Sequence, residues 1–96
     1  MGPKTKELAE VSNRLIVLLN NDEKYHWEQW MADARKWIVA SDYSGIEKVL
    51  LAYGGMGSFN DVYLTNITKF NCEFGILQSR AWELAIAIKH ECESAT

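Results

Sequence analysis

Seven apolar residues toward the C-terminus, Ile67, Phe70, Phe74, Leu77, Ala81, Leu84 and Ile88, recur at spacings of 3, 4, 3, 4, 3 and 4. That near-heptad seam belongs to one long helix with a single apolar stripe. Such a stripe must be covered, and in a short chain the cover has to come from other helices or from a sheet. The spacing predicts a helix over 67–93. Gly75 interrupts it at a cost of about 1 kcal/mol relative to alanine, and marks a kink, a late start or a close crossing.

The rest of the chain supplies helices. Leu8, Val11, Leu15 and Leu18 form an inward stripe, which predicts a helix over 5–20 capped by Thr5, with residues 1–4 frayed. Ile16, Val17 and Leu19 widen its apolar surface near the end, as a deeply buried turn or a partner contact requires. Asn20-Asn21-Asp22 reads as a tight link, with asparagine taking the left-handed conformation and Asn or Asp capping the next helix. A second helix is expected over 22–40, with Trp27, Trp30, Met31, Ala34, Trp37 and Ile38 on one face. Three tryptophans there fit either a bulky core or an aromatic groove. Ser44-Gly45-Ile46-Glu47 has the form of a capping box and opens a third helix, 44–53. A short fifth helix fits 59–64. The fold class is therefore all-α, an irregular four- to five-helix bundle in one domain spanning 1–96.

The third helix runs into Ala52-Tyr53-Gly54-Gly55-Met56-Gly57-Ser58-Phe59-Asn60-Asp61. Gly54 is placed to end that helix in the left-handed conformation, and Ser58-x-x-Asp61 to start the next by capping. The glycine-rich corner at 54–57 is expected to be a structural turn with a close backbone crossing. Its other reading is a small-ligand or anion site, of a binding domain or a minor enzyme, made by Gly55, Gly57, Ser58, Asn60 and Asp61, because backbone N–H groups there converge before a helix start. Tyr53, Phe59 and a tryptophan of the second helix would form its walls. The segment lacks the Gly-Lys-Ser/Thr ending of a phosphate loop and follows a helix, not a strand, so neither nucleotide fingerprint applies.

Chemistry elsewhere is sparse. Glu23 and His26 have the Glu-x-x-His spacing of di-metal bundles, but His90 is preceded at that spacing by Ala87, so the second half of such a site is missing. Cys92 and His90 are two residues apart on a helix and do not face each other. No catalytic set, metal site or cofactor is expected. The net charge of −3 provides no basic footprint for nucleic acid. The longest apolar run, Leu15 to Leu19, is too short for a membrane span. With no secretory leader recognised and two cysteines expected to be free thiols, the cytoplasm is the expected compartment.

Taken together, the tryptophan helix (Trp27, Trp30), the Leu51–Asp61 segment and Arg80-Ala81-Trp82-Glu83-Leu84 resemble a family of short uncharacterised bacterial proteins, over roughly residues 8–90. In size and charge the chain is also similar to immunity proteins that neutralise bacterial toxins. Trp82 and Ile86 fall off the seam of the last helix. With Ile16 and Leu19 they form the expected partner surface. The expected role is a non-enzymatic interaction protein, binding another protein, a basic one for instance, or a second copy of itself.

Overall fold

The structure, a computed structural model, describes residues 2–53, 59, 62 and 69–94. Among the described residues there are four helices: α1 (Pro3–Asn21), α2 (Tyr25–Val39), α3 (Ser44–Leu51) and α4 (Lys69–Ser94). The expected fifth helix at 59–64 falls outside them, apart from Phe59 and Val62. α1 packs on α2 and α4, and α3 packs on the same two helices. α4 alone, about 39 Å at the helical rise, sets the long dimension of 44 Å.

The anticipated stripes are the core. Leu8, Val11, Leu15 and Leu18 are buried from α1, with Met31, Ala34 and Ile38 from α2. Phe74, Ala81, Leu84 and Ile88 of the seam are buried and Leu77 packs against them; Ile67 lies outside the described residues. α4 begins at Lys69 and runs through Gly75 without a break. A Cβ added at Gly75 would meet nothing within 4 Å, so the expected close crossing is not there. α1 and α4 are antiparallel, held in register by ion pairs Lys4–Glu91, Glu7–Arg80 and Arg14–Glu73. Exposed pairs of this kind add little energy but exclude a shifted register. Cys72 and Cys92 are free and exposed, twenty residues apart on one helix, which puts them about 30 Å from each other.

Helix ends differ from expectation. α1 starts at Pro3, with Gly2 at the N-cap and Lys6 N donating to Gly2 O at 3.0 Å. Proline at the first helical position already has the right φ, so Thr5 is not the cap and residues 3 and 4 are helical. At the far end Lys24 N donates to Leu19 O (2.9 Å) and Glu23 N to Asn20 O (3.1 Å), with Glu23 at φ 61°. The α2 terminus repeats this: Asp42 N donates to Trp37 O (2.8 Å), Ser41 N to Ile38 O (3.0 Å), and Ser41 is at φ 61°. These paired bonds are the C-terminal cap that usually ends in glycine. Here glutamate and serine take the left-handed position, not the asparagines of the link. Each of Glu23→Gly and Ser41→Gly is therefore expected to stabilise the fold by about 1 kcal/mol, read as a higher urea midpoint at unchanged slope. An unchanged or lower midpoint would show that these side chains are held by something that offsets the strain.

Ser44 does not cap α3. It is the first helical residue, and its N–H donates to Asp42 Oδ1 at 2.9 Å. The left-handed turn at Ser41 brings the Asp42 carboxylate to that position, so no Ser44–Glu47 capping box forms. Gly45, in the first turn of α3, is where two helices come closest: an added Cβ would lie 2.7 Å from Ala34 O. A tight crossing therefore lies between α2 and α3; the one expected at 54–57 falls outside the described residues.

Candidate docking surface

Gly55, Gly57, Ser58, Asn60 and Asp61 lie outside the described residues. The groups flanking them are held firmly. Tyr53 Oη donates to Gln78 O at 2.8 Å, and Gln78 Nε2 donates to Phe59 O (2.7 Å) and Val62 O (3.1 Å). Phe59 N donates to Ala52 O at 2.7 Å. The Phe59 ring is fully buried against Trp27, Tyr53 and Phe74, with centroids 5.3, 5.6 and 5.7 Å away. The rings expected to wall a ligand site pack on one another. Burial pushes the Tyr53 phenol well above its usual range, so it acts as a hydrogen-bond donor at all physiological pH values. Gln78 was not singled out from sequence. Its only signal is a polar residue adjoining the seam at Leu77.

The tryptophans of α2 divide between core and surface. Trp27 and Trp30 are half-buried against the core. Trp30 Nε1 donates to Lys48 O at 3.0 Å, and the Lys48 ammonium sits 4.2 Å from the Trp30 ring centroid and 5.6 Å from that of Trp37. One hydrogen bond and two cation–π contacts to Lys48 thereby tie α2 to α3. Trp37 stays partly exposed.

The expected partner surface is split. Trp82 is 44 % exposed and Ile86, one turn on, is half-buried. Leu19 is fully buried, and Ile16 packs against the core. Leu19 is therefore not a surface residue: α1 is covered by both α2 and α4, so its buried arc is broader than one stripe. The Arg14–Glu73 pair also places the end of α1 beside the start of α4, away from Trp82 and Ile86.

What Trp82 borders instead is the α4 surface beside Tyr53, just past the end of α3, in line with the groove between α3 and α4. Tyr53, Gln78, Ser79, Trp82 and Glu83 line a depression of about 460 Å³. Further along, Tyr43, Glu47, Leu50, Leu51, Lys89, Cys92 and Glu93 line another of about 590 Å³. Leu51 is 71 % exposed and Tyr43 37 %. Exposed large apolar side chains that border one groove mark contact sites. The charge along the seam is acidic. Tyr43 is raised by burial first, then by Cys92, Glu93 and Glu47. Lys89 Nζ lies 3.9 Å from Glu93. Glu83 is 3.4 Å from an Arg80 guanidinium that mainly grips Glu7 (2.6 and 2.9 Å). Among the described residues no three His, Cys, Asp or Glu side chains gather as metal ligands, and no helix is long and apolar enough to cross a membrane.

Residues 20–70 match the family model described as Domain of unknown function, DUF6966. The chain belongs to this family. The DUF6966 segment takes in α2, α3, the glycine corner and the first residues of α4, so the α3 wall of the seam lies within it while Trp82 and Lys89 lie beyond. It also contains Trp27, Trp30 and the Leu51–Asp61 segment, two of the three parts on which the resemblance to an uncharacterised family rested; the third, Arg80–Leu84, lies beyond it. No curated protein and no solved structure matches the chain.

Proposed function

We propose that this protein is a non-enzymatic interaction module, an accessory or immunity-type protein of the cytoplasm, that docks another protein along the α3–α4 seam. The observation that carries this reading is Leu51 and Trp82 standing exposed, each at the edge of one of two depressions along α4. Tryptophan is among the residues whose truncation costs most in binding. Two exposed thiols, Cys72 and Cys92, suit a reducing compartment.

The test is capture from lysate of the source cell with wild type beside a Leu51→Ser, Trp82→Ala double variant. Both sites are exposed, so the variant should keep its helical circular dichroism and its stability within about 0.5 kcal/mol per site. A stoichiometric partner held by wild type and lost by the variant is expected. Equal capture by both forms, or no stoichiometric partner, overturns the reading.

A further inference from the structure

We infer that the occupant of the α3–α4 seam is a short amphipathic helix flanked by lysine or arginine. This rests on the interaction reading above and specifies the partner's chemistry. Three observations lead to it. The first is shape. The two depressions are centred about ten residues apart along α4, roughly 15 Å at the helical rise. A helix laid along the seam would reach both with apolar residues about three turns apart on one face, the way helices dock in grooves. α3 is only eight residues long, so a partner of three to four turns already spans it.

The second is apolarity. Tyr43, Leu51 and Trp82 are partly or mostly exposed at the edges of the two depressions. The third is charge. Glu47, Glu83 and Glu93 border the seam against a single lysine, Lys89, already beside Glu93. Arg80 mainly grips Glu7 on α1 and reaches Glu83 with its other nitrogen at 3.4 Å. Glu47 has no ion pair among the described residues, and Lys89, the one lysine lining the same depression, lies beside Glu93. Complementary charge selects the partner and steers its approach. An anionic ligand would be repelled. A second copy would bring a face of the same net acidic charge to this one.

The experiment uses three synthetic peptides of about 14 residues, four helical turns. One carries leucine at i, i+4, i+7 and i+11 with lysine elsewhere; one has glutamate for lysine; one is the lysine peptide scrambled. Binding to the full chain is read by fluorescence anisotropy at about 0.15 M salt. The lysine amphipath should bind at least about tenfold tighter than either control. Leu51→Ser with Trp82→Ala, and separately Glu47→Lys with Glu83→Lys, should each weaken it by about tenfold or more. Equal binding of all peptides, or binding indifferent to both variants, overturns the inference. So does concentration-dependent dimerisation of wild type that the Trp82 variant abolishes, which would make a second copy the occupant. A lysate partner lost with Leu51 and Trp82 while the lysine peptide fails to bind overturns the basic helix alone. Failure of both overturns the interaction reading as well.

Discussion

Gly45→Ala is expected to cost about 2–3 kcal/mol of stability, although alanine is the better helix former. The added Cβ would sit 2.7 Å from Ala34 O, 2.7 Å from Ile38 Cγ1 and 2.8 Å from Ile38 N. Two of the three atoms are backbone and cannot rotate aside, so α3 has to move off α2. That movement also disturbs the Trp30–Lys48 bond. The helical preference of alanine, about 1 kcal/mol, is too small to offset this. For a domain of this size the loss corresponds to a fall in melting temperature of roughly 10–20 °C. Gly75→Ala is the matched control. Nothing lies within 4 Å of its added Cβ, so it should gain about 1 kcal/mol from propensity alone. Thermal melts of the two variants should therefore move in opposite directions. Both rising would mean that the α2–α3 crossing yields without cost.

Phe59→Ala is expected to cost about 3–5 kcal/mol. The ring has no exposed surface and is surrounded by Trp27, Tyr53 and Phe74. Its removal leaves a cavity between elements whose own backbones are tied in place by Ala52 and Gln78, so collapse into the space is restricted. Urea unfolding of the variant should show a lower midpoint. A loss under about 1 kcal/mol would mean that Phe59 is not an anchor. Phe59→Leu, which keeps most of the apolar volume, should recover a good part of the loss.

These two residues show how legibility divides. Gly45 was read only as the second residue of a capping box, because a sequence does not show which helix a glycine will face. The glycines that attracted attention, at 54–57, are conspicuous by clustering. Clustering reports local conformational freedom, whereas close approach is a property of two segments. Phe59 was noted as a wall residue, but its burial depends on Trp27 and Phe74, thirty-two positions before it and fifteen after. Gln78 reads as an ordinary polar residue until the carbonyls of Phe59 and Val62 are brought to its amide.

Periodicity alone settled the all-α class, the inward faces of α1, α2 and α4, and the approximate helix limits. A helix stripe recurs with the helix's own period, so those features are local and repeat along the chain. The helix ends were less accessible. Their preferences are worth only about 1 kcal/mol, and packing overrides them, as at Glu23, Ser41 and Asp42. Which apolar residues stay outside was decided by tertiary structure. Leu19 and Trp82 are both off the principal stripe of their helices, yet one is fully buried and the other exposed. Leu19 lies on a helix packed against both α2 and α4, whereas Trp82 lies just past the end of the short α3. The number and placement of neighbours, not the residue's own hydrophobicity, set its exposure, and that information arises only when the helices are assembled.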